Sequence, residues 1–181
     1  MINENQHLFI LCGEAFSGKS TLAKKISESY GAEIVGRDEI YFVLNSMLAL
    51  EEMPEEDDDK LWESLWSIAA QGVKNQLLLG KSVVFDDNCL YFNQREELRS
   101  IAKDAGVKCT LVYLEVSAEI LKKRKEQNKI DKSRHDVPSG WLKKDAQKFE
   151  RPTEIENPVA YDGSYAFVEF KKSFSNKGIN L

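Results

Sequence analysis

One stretch near the start of the chain restricts its fold more than any other feature. Residues 13–21 read GEAFSGKST and fit the pattern G-x-x-x-x-G-K-[ST]. Residues 8–12 before it form a short apolar run suited to a buried strand, and residues 21–30 after it have helical periodicity. A strand, a glycine-bearing turn and a helix N-terminus aim backbone N–H groups at one point, so the stretch predicts an anion site.

The residue types in this stretch predict a bound nucleotide. Glycines at 13 and 18 permit close approach of a phosphate to the backbone, Lys19 can reach the β- and γ-phosphates, and the Ser20 hydroxyl can ligate Mg²⁺. The predicted nucleotide-binding residues are Gly13, Glu14, Ala15, Phe16, Ser17, Gly18, Lys19, Ser20 and Thr21. The alternative is a glycine turn that only caps a helix, and it leaves the Gly-Lys-Ser sequence after a buried strand unexplained.

The rest of the chain alternates apolar runs with helical patterns, which predicts a three-layer α/β fold of the P-loop NTPase type. Strands are predicted at residues 8–12, 32–35, 82–85, 109–114 and 165–170, and helices at 21–30, 39–50, 60–79, 92–105, 118–127 and 141–149. We expect a mostly parallel five-stranded sheet with helices on both faces and a small lid. The predicted domain covers residues 1–170, with the lid at about 122–140 and a loosely ordered tail at 171–181.

Acidic residues follow two of the predicted strands, at the sheet edge where α/β proteins bind ligands. Asp38 follows strand 32–35, where it either accepts the proton of an attacking hydroxyl or caps the next helix. Arg37 beside it is either a substrate or phosphate contact or a surface charge. Asp86 comes directly after strand 82–85, so we predict that it holds Mg²⁺ in preference to Asp87, with an ordinary turn as the alternative.

A basic segment at residues 122–134 is the candidate lid. Flexible polar segments that carry arginines close over the transferring phosphate in small kinases. We therefore predict that Arg124 and Arg134 enter the site, and the alternative is a solvated charged face.

Three other features have competing interpretations. We expect His7 to be solvated or at a strand edge, and the alternative is a ligand role. Trp62 and Trp66 belong mainly to the core, with a pocket wall as the alternative. The acidic run at residues 51–59 is predicted to be a solvated loop, and the alternative is a selectivity element for a cationic substrate.

Composition restricts the class of protein. The 181 residues are 42% hydrophobic and 30% charged, as in an ordinary globular domain. The formal net charge of −5 argues against extended, sequence-independent binding of nucleic acid. We find no signal-peptide pattern, no apolar run near the roughly 20 residues of a membrane span, and no C-x-x-C pair, so we expect a cytoplasmic protein without a membrane partner.

Together these motifs resemble the small P-loop kinases of the polynucleotide-kinase, zeta-toxin and chloramphenicol phosphotransferase-like type. The resemblance covers residues 8–155 and is carried by residues 13–21, Arg37 with Asp38, residues 83–88 with Arg95, Arg124, Val137 with Pro138, and residues 149–152 with Glu154. The last of these resembles the F-E-x-P-x-x-E signature of the group.

The resemblance implies ATP- and Mg²⁺-dependent transfer of the γ-phosphoryl group to a hydroxyl, with Asp38 near the acceptor and lid arginines at the phosphates. The chain departs from the group at two positions. Many relatives have an arginine three residues after the aspartate, where this chain has Tyr41. Their R-N-x-x-R lid pattern is replaced by RKEQN at residues 124–128, so the second arginine role passes to Arg134. Both departures favour a small-molecule acceptor over a nucleic acid.

We therefore expect a P-loop phosphotransferase that uses ATP and Mg²⁺ on a hydroxylated small molecule. Its predicted catalytic residues are Lys19, Asp38, Arg124 and Arg134, and its predicted metal ligands are Ser20 and Asp86. The alternatives are a polynucleotide 5′-hydroxyl kinase and an ATP-binding switch or ATPase that acts on a protein partner. The identity of the acceptor and the oligomeric state stay open.

Overall fold

The computed structural model describes residues 6–48, 59–132, 139–163 and 167–176 of the chain. Strands and helices alternate along these ranges, as the sequence predicts. The strands are β1 His7–Cys12, β2 Glu33–Val35, β3 Val83–Phe85, β4 Lys108–Tyr113 and β5 Val159–Ala160. The helices are α1 Lys19–Tyr30, α2 Arg37–Leu48, α3 Asp59–Leu78, α4 Phe92–Asp104, α5 Ala118–Asp131, α6 Ser139–Lys148 and α7 Phe167–Asn176, with a 3-10 turn at Glu154–Glu156.

The five strands form one sheet in the order β2-β3-β1-β4-β5, and each of its pairings is parallel. The phosphate-binding stretch therefore leaves the central strand, β1. The turns that leave β2 and β3 lie at the same edge of the sheet, because all five strands run in one direction. This topology brings residues that are far apart in the sequence to one edge.

The side chains of β1 pack alternately on the two faces of the sheet, which confirms the predicted three layers. Leu8 and Ile10 are fully buried against α3 and α4. Phe9 and Leu11 are fully buried against α1 and α7 on the opposite face. A strand that is covered on both sides has no polar face, which explains the continuous apolar run in the sequence.

The predicted strand at residues 165–170 is wrong. The fifth strand is Val159–Ala160, and α7 begins at Phe167. Phe170 and Phe174 of α7 are buried, and their rings lie 4.7 Å apart. The helix also continues past residue 170, where we expected the loosely ordered tail to begin. The phenylalanine spacing has a helical period, but an aromatic-rich run of six residues looks like a strand by composition.

The expectation of a solvated or edge position for His7 is also wrong. His7 lies in the central strand and is 1% exposed, and its Nε2 lies 2.8 Å from Thr110 Oγ1 on β4. Burial and the charge of Lys108 lower the pKa of His7 from 6.5 to about 4. The imidazole is therefore neutral in the folded protein at pH 7.

Candidate active site

The phosphate-binding stretch forms a tight loop between β1 and α1. Gly13 has a φ of 152° and Gly18 has a φ of 106°, backbone angles that favour glycine. A Cβ at Gly13 would lie 3.0 Å from the carbonyl oxygen of Leu114. The buried Lys19 donates hydrogen bonds from Nζ to the carbonyl oxygens of Gly13 and Glu14, at 3.0 and 2.9 Å. Its ammonium group is thus held over the loop, at the N-terminus of α1.

The turns that follow β2 and β3 approach each other closely. A Cβ on Gly36 would lie 2.5 Å from the carbonyl oxygen of Asp86, a distance that real Cβ atoms do not adopt. The N–H of Asp86 donates to the carbonyl of Val35 at 2.8 Å. The absence of a side chain at Gly36 therefore fixes the spacing between the two acidic turns.

Ser20 and Asp86 lie together, as the predicted pair of metal ligands requires. The Asp86 carboxylate accepts a hydrogen bond from the Ser20 hydroxyl. Burial raises the pKa of Asp86, against the opposing effects of Lys19 and of that hydrogen bond, and the charge of Asp87 raises it further. A hydroxyl and a carboxylate held side by side near the phosphate loop suit Mg²⁺, which commonly takes one or two protein oxygens and completes its shell with phosphate and water.

Asp38 is one of the residues that line the site. It is the second residue of α2, which begins at Arg37, so the N-cap position falls on Gly36 and the expectation that Asp38 caps the helix is wrong. The other expectation, a contact with the acceptor, is compatible with its position. Its pKa is raised by desolvation first and then by the charge of Asp87, while Arg37 lowers it. A carboxylate with a raised pKa is a better proton acceptor than an ordinary aspartate.

Asp87 has a different environment from Asp86. It is buried and accepts two hydrogen bonds from Arg37, at 2.5 Å from Nε and 2.6 Å from Nη2. Burial alone would raise the pKa of Asp87, but the charge and hydrogen bonds of Arg37 outweigh it and lower the pKa. Arg37 is therefore a partner of Asp87, whereas the sequence predicted either a substrate or phosphate contact or a surface charge.

A cavity of about 1450 Å³ connects these groups. Lys19, Ser20, Asp38 and Asp86 line it together, so four of the six predicted catalytic and metal residues share one space. Aromatic side chains form its other wall; they are Tyr41, Phe42, Trp62, Trp66, Tyr91 and Trp141. Trp66 is nevertheless buried, so it belongs to the core and to the cavity wall at once.

The predicted lid arginines are not both in the described part of the chain. Arg124, on α5, donates from Nη1 to the carbonyl oxygens of Phe16 and Ser17, at 3.1 and 2.7 Å. It therefore contacts the outer, carbonyl side of the phosphate loop and is not among the residues that line the cavity. Arg134 lies outside the described residues, as does the acidic run before Asp59.

Sequence reasoning missed two interactions that shape the site. Asn88 Nδ2 donates to Asp145 Oδ2 at 3.2 Å, which ties α6 to the turn after β3. Arg95 Nη1 donates to the carbonyl of Cys89 at 2.8 Å, and its Nε and Nη2 donate to Glu156. Glu156 follows the predicted signature residue Glu154 by two positions, and no periodicity distinguishes the two glutamates.

The fold and the site define the class of this protein. A parallel sheet with a phosphate loop after its central strand, and with carboxylates at the exits of β2 and β3 on one side of that strand, is the arrangement of a P-loop phosphotransferase, here of the small kinase type. The chain belongs to the family described as an AAA domain, which it matches over residues 8–152.

Similar proteins are kinases. A Schizosaccharomyces pombe protein described as a "probable gluconokinase" is 27% identical over 157 residues, which are 85% of this chain and 78% of that protein. The crystal structure of a gluconokinase from Sinorhizobium meliloti has a TM-score of 0.61 at 19% identity, over 97% of this chain and 98% of the other. The APS kinase of Mycobacterium tuberculosis, solved with AMPPNP and APS, has a TM-score of 0.58 at 16% identity, over 97% and 99%.

Two structural features are absent from the described residues. None of their helices combines the length and the apolar character that crossing a membrane requires. They also contain no group of three or more His, Cys, Asp and Glu side chains arranged to hold a metal ion.

Proposed function

We propose that this chain transfers the γ-phosphoryl group of ATP to a hydroxyl of a small molecule, with Mg²⁺ as cofactor. The shared cavity carries the proposal, because Lys19, Ser20, Asp38 and Asp86 all line it and its volume exceeds that of a typical ligand pocket. A nucleotide and a second substrate together need such a space. The similar gluconokinase and APS kinase carry the names of small-molecule acceptors, which supports the same class here.

In the proposed reaction the bond between the γ-phosphorus and the β,γ-bridging oxygen breaks, and a new bond forms between that phosphorus and the acceptor oxygen. Asp38 orients the acceptor hydroxyl and takes up its proton. Lys19 stabilises the negative charge on the β- and γ-phosphates. Positioning and charge stabilisation supply most of the catalysis in such transfers.

Ser20 and Asp86 are the proposed protein ligands of Mg²⁺. The hydrogen bond between them already brings a hydroxyl oxygen and a carboxylate oxygen together. Bound Mg²⁺ supplies charge neutralisation at the β- and γ-phosphate oxygens. Arg124 and Arg134 are proposed to cover the transferring group, and for Arg124 this requires release from the carbonyls of Phe16 and Ser17.

A transfer assay with γ-labelled ATP and Mg²⁺ tests the proposal on a panel of hydroxylated small molecules and 5′-hydroxyl oligonucleotides. We expect label on a small molecule. Asp38→Asn should lower the transfer rate by about 10²- to 10⁴-fold while ATP binding is retained, because it removes the proton acceptor. Asp104→Asn changes an exposed carboxylate at the far end of α4 and serves as the matched control.

Each contrary outcome has a definite meaning. Label on oligonucleotide ends alone would replace the small-molecule acceptor with a polynucleotide. Tight ATP binding with label only on water or on no acceptor would favour a switch or an ATPase with a protein partner. An Asp38→Asn variant with the full transfer rate would remove Asp38 from the mechanism.

A further inference from the structure

The wall of the cavity that faces the phosphate loop has a distinctive composition, and we name it the acceptor wall. It comprises the lining residues of α2, α3, α4, α6 and the turn after β3. Its aromatic rings contact one another: Tyr41 and Trp62 have centroids 5.9 Å apart, and Trp62 and Trp141 meet edge to face at 5.4 Å. These rings provide an apolar surface in the cavity that Asp38 also lines.

Carboxylates outnumber cations on the acceptor wall. The acidic residues on it are Asp38, Glu63, Asp86, Asp87, Glu97 and Asp145, and the basic residues are Arg37, Lys144 and Lys148. Six negative and three positive charges give a formal net charge of −3 for this wall. Desolvation raises the pKa of Asp145, and the charge of Asp87 raises it further, against the opposing effects of Arg37, of the hydrogen bond from Asn88 and of Lys148.

The cation nearest to Asp38 is already neutralised. Arg37 donates two hydrogen bonds to Asp87, and its guanidinium lies 5.8 Å from the ring centroid of Trp62 and 5.6 Å from that of Trp66. A bidentate ion pair held beside two aromatic rings is costly to break, because separation would leave the buried Asp87 charge unpaired. Arg37 therefore does not offer its charge to an anionic ligand.

Tyr41 adds a polar group that the fold does not use. The side chain is 4% exposed and lines the cavity, and its hydroxyl has no hydrogen-bond partner among the described residues. A buried hydroxyl without a partner is destabilising, and a hydrogen bond from a ligand hydroxyl removes that cost. Many of the small P-loop kinases that the chain resembles have an arginine at this position instead of a tyrosine.

From these observations we infer that the acceptor wall binds a polyhydroxylated molecule without an anionic group, and that the Tyr41 hydroxyl is a specificity-determining contact for it. The molecule is uncharged or carries an ammonium group. Its carbon face packs on Trp62 and Trp141, and its hydroxyls donate to carboxylates of the wall. The statement that the bound molecule is the phosphoryl acceptor rests on the proposed function. The charge selectivity of the wall does not depend on that function.

Fluorescence quenching tests the charge selectivity without any turnover. The chain contains three tryptophans, and all of them, Trp62, Trp66 and Trp141, line the cavity, so the intrinsic emission reports on this wall. Quenching constants for iodide, caesium and acrylamide are normalised to those of free N-acetyltryptophanamide. We expect iodide to be at least about threefold less effective than caesium, because a negative wall excludes anions.

A substitution on the wall gives the matched comparison. Glu63→Gln should raise quenching by iodide and lower quenching by caesium, whereas Glu119→Gln, an exposed change on α5, should alter neither. Equal or stronger quenching by iodide in the unsubstituted protein would overturn the inference. This result would leave the proposed phosphoryl transfer intact, so the two failures are distinguishable.

Tyr41→Phe tests the second part of the inference. We expect an unchanged or slightly higher Tm, because the substitution removes a buried hydroxyl without a protein partner, and about a tenfold higher KM for the acceptor at unchanged kcat and unchanged KM for ATP. Tyr30→Phe, outside the cavity, is the control. A lower Tm for Tyr41→Phe would show that the hydroxyl has a structural partner. An acceptor with a carboxylate or phosphate group, or an unchanged acceptor KM, would also contradict the inference.

Discussion

Gly36 shows how one missing methyl group sets the geometry of the site. Its closest neighbour is the backbone of Asp86, which cannot rotate away as a side chain could. Gly72, inside α3, has no such neighbour, since a Cβ there would lie 3.5 Å from a methyl group of Val35, an ordinary contact. The sequence offers no means of telling these two glycines apart by their tolerance of a side chain.

The two glycines should respond to alanine in opposite directions. Gly36→Ala should lower the free energy of unfolding by about 1–3 kcal/mol and reduce the transfer rate, because the turn after β3 must move. Gly72→Ala should raise the free energy of unfolding by roughly 0.5–1 kcal/mol, since alanine favours a helix interior over glycine. Urea denaturation of both variants measures the difference, and a Gly36→Ala protein with full stability and activity would refute the close approach.

His7 predicts a pH dependence of stability. Its pKa is about 4 in the folded protein and 6.5 as an ordinary value, so the unfolded chain binds the proton more readily. The neutral His7 makes its full contribution to the free energy of unfolding above pH 6.5. This contribution, on the order of 3 kcal/mol, is lost as the pH falls towards 4. The difference in unfolding free energy between pH 7.5 and pH 5 should be smaller in His7→Gln. Equal differences in the two proteins would contradict a buried neutral imidazole.

At the scale of elements, α4 is fixed by a buried ion pair. Arg95 and Glu156 side chains are each 1% exposed, and Nε and Oε1 are 2.7 Å apart. Burial alone would raise the pKa of Glu156, but the hydrogen bonds from Arg95 and from the Thr153 N–H outweigh it and lower the pKa. Because Arg95 also bonds the carbonyl of Cys89, the pair connects α4 and the 3-10 turn to the acidic turn after β3.

Glu156→Gln should be strongly destabilising. It leaves Arg95 buried without a counter-charge, which costs about 3–5 kcal/mol of unfolding free energy. Glu154→Gln changes an exposed neighbour of the same type and should alter stability by less than about 0.5 kcal/mol. Thermal unfolding of the two variants decides which glutamate has the structural role. A larger loss from Glu154→Gln would reverse the assignment.

At the scale of the whole molecule, the site is assembled at a cost in stability. Asp38, Asp86 and Asp87 gather at one sheet edge, and burial and mutual repulsion raise the pKa values of Asp38 and Asp86. A carboxylate whose pKa is raised on folding destabilises the folded state at pH 7, because its charged form is disfavoured there. Binding of a cation would offset that effect.

Asp86→Asn should therefore separate stability from ligand binding. We expect a higher Tm for the ligand-free variant and a smaller increase in Tm on addition of MgATP, which stabilises the unsubstituted protein by about 2.7 kcal/mol at 100 times its Kd. Scanning calorimetry with and without MgATP measures both quantities. A lower ligand-free Tm, or an undiminished response to MgATP, would contradict the role of Asp86.

The sequence by itself determined the layers and the phosphate loop. The residues of the loop are contiguous, and the apolar run of β1 and the helical periods around it are local patterns that short-range physics dictates. Local patterns also predicted that Asp38 and Asp86 follow directly after strands. The prediction from local composition was wrong at residues 165–170, where a short aromatic run is compatible with a strand or a helix. The helix α7 is observed there, with Phe170 and Phe174 buried on the sheet.

Only the tertiary structure decided which partners the charged residues have. Arg37 with Asp87, Arg95 with Glu156, and Asn88 with Asp145 are separated by 50, 61 and 57 positions, so no periodicity relates them. Each contact forms only after the long chain segment between the two residues has brought its ends together, and pairing of the parallel strands brings those ends together. The proposed selectivity of the acceptor wall depends on the first of these long-range pairs, because the ion pair with Asp87 neutralises Arg37 on that wall.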